Sequence, residues 1–201
     1  MKTHWTIVLR QGWAQRSNKM KLGLADVAAQ AQTALNAFAD ATAQDAKNLV
    51  SSKQITDEGA LLRSINPLYG NGSAGVVANS KYAAYMEFGT RKFAASYVSS
   101  LPAEWSTYAA QFQGSAGGTF KEFVLSIMAW MKRKGIKGGR YSVKTRRRLG
   151  NKAQKESEDK SLAYAIAKKI LRDGIKERPF LYPAVNKNLP KLRKDLKDIF
   201  K

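Results

Sequence analysis

Between Gly23 and Gly59 the chain contains neither glycine nor proline, and that unbroken stretch limits the possible folds more than any other feature. Leu24, Ala28, Ala31, Leu35, Phe38, Thr42 and Leu49 recur within it at three- and four-residue spacing, which gathers them on one face of a helix. Most of the other residues are Ala, Gln, Asp and Lys. The pattern predicts a long, alanine-rich amphipathic helix of about 25 residues over 24–50. A coiled coil has similar spacing, but the stripe weakens at Thr42 and Asp45. Small alanines allow close approach of a neighbour, so a helix lying across a sheet is the preferred reading.

The sheet is expected on either side of that helix. Residues 1–20 hold Trp5, Ile7, Val8, Leu9 and Trp13, a short strand or an arm that packs on something. Residues 60–70 read as a strand, with Leu62, Ser64, Asn66 and Leu68 on one face and Arg63, Ile65 and Pro67 on the other. Pro67 places its end at an edge or turn. Gly70-Asn71-Gly72-Ser73 suits a hairpin connection, and Val76, Val77 and Ala78 start the returning strand. Tyr82 to Phe88 adds a further apolar segment to this sheet-like part, closed by Gly89-Thr90.

Residues 91–118 carry Phe93, Tyr97, Trp105, Tyr108 and Phe112 without a clear period, and Gly114-Ser115-Ala116-Gly117-Gly118 reads as a flexible joint. Thr119 and Glu122 then form a capping box ahead of the stripe Phe120, Phe123, Val124, Ile127, Met128 and Met131. Gly135 ends that helix at the position after its cap, with Ile136 beyond. Leu162, Ile166 and Ile170 mark a second helix over 161–173, and Asp173-Gly174-Ile175-Lys176 matches Lys134-Gly135-Ile136-Lys137 as shared capping chemistry. Near the end, Pro183 suits the first turn of a helix starting near Ala184, with Leu189, Leu192, Leu196 and Ile199 as its stripe. Pro190 is expected to kink or restart it. The fold class is α+β: a long N-terminal helix packed on a small antiparallel sheet, an inserted helical lobe and a C-terminal helix. The divisions fall at 1–92, 93–160 and 161–201.

Charge narrows the function. Thirty-five Lys and Arg against 15 Asp and Glu give a net charge of +20, which attracts polyanions and carries a self-repulsion cost. No acid occurs over 123–155, where Lys132, Arg133, Lys134, Lys137, Arg140, Lys144, Arg146, Arg147, Arg148, Lys152 and Lys155 gather. Gly138, Gly139 and Gly150 are expected to make this loop pliable. It reads as a phosphate-tracking element, or one that docks on an acidic protein patch, in preference to a merely solvated loop. Nothing supports base-specific reading.

Chemistry is poorly provided for. There is no cysteine, and His4 is the single histidine, so thiol chemistry and zinc sites with two histidines are excluded. Asp57-Glu58 reads as a turn, and Glu156, Glu158 and Asp159 as helix-start charge. No phosphate-binding or dinucleotide loop occurs. The expectation is no enzyme, no metal and no cofactor. Apolar runs such as 123–131 are too short to span a membrane, and the first residues lack a signal-like apolar core. Synthesis in the cytoplasm is expected.

Tyr82-Ala83-Ala84-Tyr85-Met86-Glu87-Phe88-Gly89-Thr90-Arg91 resembles the tyrosine–alanine run ending in Glu-Phe-Gly-Thr of tailed-phage head–tail joining (tail completion) proteins of the lambdoid siphophage type. Leu62-Arg63-Ser64-Ile65 upstream and Arg178-Pro179-Phe180-Leu181-Tyr182-Pro183-Ala184 downstream are similar to further motifs of that family, in the same order. The similarity covers about 24–91 and 162–196, while the long segment 93–161 departs from compact relatives. The resemblance implies a non-catalytic α+β subunit of a ring, as a hexamer, in the virion neck or upper tail. Its implied partners are a head-side connector or head-closure protein, a tail terminator or tail tube protein, and packaged double-stranded DNA, without a membrane. The motif residues, candidates for subunit contacts, are Arg63, Tyr82, Tyr85, Glu87, Phe88, Gly89, Thr90, Arg91, Arg178, Pro179, Phe180, Leu181 and Pro183. For Glu87 two readings stay open: an acceptor for Arg63, Arg91 or a neighbouring subunit's arginine, and an exposed strand-end carboxylate worth about 0–1 kcal/mol. Phe180, Leu181 and Tyr182 form an apolar wedge expected to fill the core.

Overall fold

The computed structural model describes residues 3–8, 23–55, 58–80, 82–112 and 119–199. Trp13, Asp57 and the joint at 114–118 lie outside them. The chain divides into two units, one formed by 1–89 with 176–201 and the other by 90–175. The second unit takes in the whole helix that precedes Gly174, whereas the sequence divisions began a new part at 161.

The first unit is built on α1 (Leu24–Ser52) and three strands, β1 (Thr3–Val8), β2 (Ile65–Gly70) and β3 (Ser73–Ala78). β3 lies in the middle, antiparallel to both neighbours. Its pairing with β2 closes through a two-residue turn, Asn71-Gly72, where Gly72 takes φ 68. Gln32 of α1 holds that turn by accepting the Gly72 N–H at 2.8 Å. α1 packs on β2, β3 and α8 (Leu181–Ile199). Its buried stripe is Val27, Ala31, Leu35, Phe38, Ala39, Thr42, Ala43, Ala46 and Val50, turned somewhat from the spacing read in sequence, since Ala28 and Leu49 are only half-buried. The alanines bring the sheet and α8 close, as a helix across a sheet requires. Thr42 is fully buried and its Oγ1 has no hydrogen-bond partner. Thr42→Val keeps the shape and removes the orphaned hydroxyl, so thermal melting should show a gain of about 1 kcal/mol.

Two segments expected to extend the sheet are helical instead. Residues 60–64 form α2 (Ala60–Ser64), which buries Leu61, and only from Ile65 does the chain become a strand. Residues 83–88 form α3 (Ala83–Phe88), with Ala83, Ala84, Glu87 and Phe88 buried. α8 begins at Leu181, earlier than expected, which makes Pro183 its third residue, and it runs unbroken through Pro190. Pro190 is exposed, as is Asn186, whose carbonyl loses the helical donor.

The second unit is helical: α4 (Arg91–Val98), α5 (Ala103–Ala110), α6 (Phe120–Arg133) and α7 (Lys152–Asp173). Of the aromatics without a readable period, Phe93 and Tyr97 sit on α4 and Trp105 and Tyr108 on α5, where Trp105 is buried, while Phe112 lies just past its end. α6 carries the expected capping box, with the Thr119 N–H donating to Glu122 at 2.7 Å and the Glu122 N–H to Thr119 at 3.3 Å. At its other end Gly135 takes φ 66, and the Ile136 N–H donates to the Met131 carbonyl at 2.9 Å. α7 ends differently despite the matching letters, because Gly174 combines φ 91 with an extended ψ of -178. α6 and α7 pack around Val124, Met131, Ala163 and Ala167.

Candidate functional site

The first turn of any helix leaves backbone N–H groups without partners. At the start of α8 those of Phe180 and Leu181 donate to Glu87 Oε2, each at 2.8 Å. The Tyr182 N–H donates to Oε1 of the same carboxylate, also at 2.8 Å. The next residue, Pro183, has no N–H to satisfy. One carboxyl group from α3 therefore accepts from the whole terminus.

Glu87 is fully buried. Burial pushes its carboxyl above the usual carboxylate range, opposed by the N–H groups of Leu181, Phe180 and Tyr182 and by the charge of Lys53. The surroundings lock the arrangement. The Arg178 N–H donates to the Met86 carbonyl at 2.7 Å, and Lys53 Nζ donates to the Pro179 carbonyl at 2.6 Å. These contacts overturn both sequence readings of Glu87. It is neither an arginine acceptor nor an exposed strand end, because its donors are backbone groups of α8.

The other motif residues of this unit divide by burial. Phe88, Phe180 and Leu181 are in the core, which agrees with the expected wedge, while Tyr182 and Pro183 are half-buried. The Tyr82 hydroxyl accepts the Leu61 N–H at 3.1 Å. Tyr85 and Pro179 are half-buried, and Arg63 and Arg178 are exposed. Gly89 turns the chain with φ 73 and ψ -170, a region open essentially to glycine.

In the second unit the first and last residues are tied together. The Thr90 N–H donates to the Ile175 carbonyl at 2.9 Å, and the Ile175 N–H donates to Thr90 Oγ1 at 2.7 Å. Lys92 pairs with Asp173 at 3.2 Å, and Arg172 and Lys92 together hold the Asp173 carboxyl down at about 2. Arg91 is exposed. A Cβ at Gly174 would run into the Thr90 carbonyl.

The basic stretch is folded. The Leu149 N–H donates to the Arg140 carbonyl and the Ser142 N–H to the Arg147 carbonyl, both at 2.9 Å, around a bridge between Tyr141 and Arg148. Arg148 holds the base of this hairpin. Its guanidinium, 12% exposed, lies 2.9 Å from Asp159 and 3.6 Å from Glu158, and also donates to the Lys155 carbonyl. Partial burial raises the Asp159 carboxyl, but hydrogen bonds from Arg148 and the Gly138 N–H, with the charges of Arg148 and Lys137, outweigh it and hold it below the usual range. Arg148 is thus a structural cation with its charge already matched. Gly138 and Gly139 serve close approach rather than pliability: a Cβ on Gly138 would sit 2.6 Å from the Glu158 carbonyl oxygen. Lys132, Arg133, Lys134, Lys137, Arg140, Lys144, Arg146, Arg147 and Lys152 are exposed, and Lys155 is half-buried.

Sequence reasoning missed the acids that organise this loop. α7 starts at Lys152 under its own capping box, Asn151 with Gln154, so Glu158 and Asp159 lie well inside the helix and face Arg148 rather than its N-terminus. It also missed Lys53 and Met86 beside the Glu87 cap, which no local pattern marks. Among the described residues no cluster of His, Cys, Asp and Glu could hold a metal ion, and no helix is long and apolar enough to cross a membrane.

A long helix thus lies across a small antiparallel sheet, and a buried carboxylate on α3 caps the C-terminal helix. Residues 15–89 match the HK97-gp10-like family, described as "Bacteriophage HK97-gp10, putative tail-component". The match ends at Gly89, where the first unit gives way to the second, and over it the chain is similar to a tail-component family, in agreement with the resemblance carried by its motifs. No curated protein and no solved structure matches the chain.

Proposed function

We propose that this protein is a structural subunit of a ring at the head–tail interface of a tailed phage, joining a head-side connector or head-closure protein to a tail terminator or tail tube protein. The observation that carries this reading is the match of residues 15–89 to a phage tail-component family. The ring is a hexamer in this proposal, made in the host cytoplasm and built into the virion. Tail terminator and head-closure rings are neighbouring readings of the same kind. Of the motif residues, Arg63, Arg91 and Arg178 are the exposed ones, and they are proposed to meet the adjoining subunit. The net charge of +20 supports a basic surface towards packaged DNA in the channel. No catalytic step is assigned.

A second reading, a sequence-independent nucleic-acid-binding protein, is favoured by the exposed cations around the hairpin. Light scattering on the purified chain separates the two. A closed multimer free of nucleic acid is the expected result; a monomer that assembles only on added DNA would overturn the ring in favour of the second reading.

A further inference from the structure

We propose that the hairpin 140–149 is a preformed ribbon that seats in the major groove of duplex DNA and grips its phosphates without reading sequence. This deepens the DNA-facing part of the function proposed above and rests on it.

The hairpin is ordered by its own hydrogen bonds. Its turn is closed by the Arg146 N–H donating to the Ser142 carbonyl at 2.8 Å, with Arg146 at φ 52. Its base is fixed by Arg148 on Asp159 and by the Gly138 N–H on Asp159 at 2.8 Å. Little ordering cost remains to be met on binding. With Arg148 matched internally, the cations left on the hairpin are Arg140 on one strand, Lys144 at the turn, and Arg146 and Arg147 on the return. All four are exposed, and among the described residues only Arg140 comes near an acid, Glu158 at 4.0 Å. Val143 stands at the apex, 96% exposed.

Width and charge placement select the partner. Paired strands lie about 5 Å apart, and the major groove, about 12 Å wide, admits a two-stranded ribbon. The groove has phosphates along both walls, which suits cations on both strands and at the tip. An acidic protein face would engage one side only. Guanidinium groups at 146 and 147 match phosphate oxygens in pairs. The apex carries Val143, Lys144 and Thr145, and in this proposal the flanking arginines engage phosphates rather than base edges.

The test is fluorescence anisotropy of a duplex of about 30 base pairs and arbitrary sequence, titrated with the full chain over a salt series. Each phosphate contact contributes about 0.9 to the slope of log affinity against log salt, so K144A/R146A/R147A should flatten the slope by about 2 to 3. Thermal melting of this variant should be unchanged, because Arg148 and the backbone pairing remain. A charge-matched variant on α8, R193A/K194A/K197A, should change the slope by less than about 1. The proposal is overturned if the unaltered chain fails to bind duplex at low salt, or if both triple variants lose slope equally. Poly-glutamate binding more tightly than duplex, and being lost in the hairpin variant, would overturn it in favour of an acidic protein partner. Light scattering on the same samples keeps the two proposals apart, since a multimer that persists without duplex binding leaves the ring standing and removes the hairpin's role.

Discussion

Glu87→Ala is expected to cost at least about 3 kcal/mol in chemical or thermal denaturation, a large share of the 5–15 kcal/mol that holds a typical domain together. The substitution leaves the N–H groups of Phe180, Leu181 and Tyr182 without an acceptor at a helix start that is largely closed to water. Glu87→Gln keeps the volume but puts an amide nitrogen where one carboxylate oxygen accepted, setting donor against donor. It should cost about half as much. The pH dependence follows from the raised carboxyl. The folded state holds this proton more tightly than the unfolded chain, whose value is near 4.5. This group's contribution is therefore fully present below that value and is lost as pH rises through the higher folded one. The melting curves of the unaltered protein should show that loss as pH rises above about 4.5, and those of Glu87→Gln should lack it. Identical pH profiles for the two proteins would show that Glu87 does not titrate in the folded state in this range.

Gly174→Ala is the second large effect. The backbone there combines φ 91 with ψ -178, a conformation that costs other residues about 1–3 kcal/mol. The added Cβ would also strike the carbonyl of Thr90, the residue whose bonds to Ile175 close the second unit. A loss of at least about 2 kcal/mol is expected, together with faster hydrogen exchange at the Thr90 and Ile175 amides. Gly135→Ala should be milder: its φ is 66, but no atom lies within 4 Å of an added Cβ. Equal losses at the two glycines would mean that backbone conformation alone, and not the contact with Thr90, sets the cost.

These two glycines also show where sequence reading stops. Lys134-Gly135-Ile136 and Asp173-Gly174-Ile175 are nearly the same letters, yet the first closes a helix in the left-handed region and the second enters an extended turn held by Thr90. The determinant at Gly174 is a residue far away in the chain, which no local pattern contains. Long-period features were legible: α1, the capping box at Thr119 and Glu122, and the hairpin at Asn71-Gly72. α2 and α3 escape sequence reading because a helix of five or six residues is too short to display its own period.

The candidate site was legible in its letters but not in its roles. Glu87 and the Pro-Phe-Leu segment stand out as motifs, but nothing in either shows that the first caps the second. Arg148 is chemically identical to Arg146 and Arg147 beside it. Only the placement of Glu158 and Asp159 on α7 singles it out.

The hydrogen bond between Phe180 and Glu87 joins residues 93 positions apart. Closing so long a floppy loop would cost about 4 kcal/mol in chain entropy. Because Thr90 and Ile175 are bonded to each other, a second unit that has already folded shortens that loop to a few residues and removes most of the cost. The outer helix then docks as quickly as if the intervening chain were absent, which predicts an order of events: the interior segment organises first, and the terminal helix is captured last.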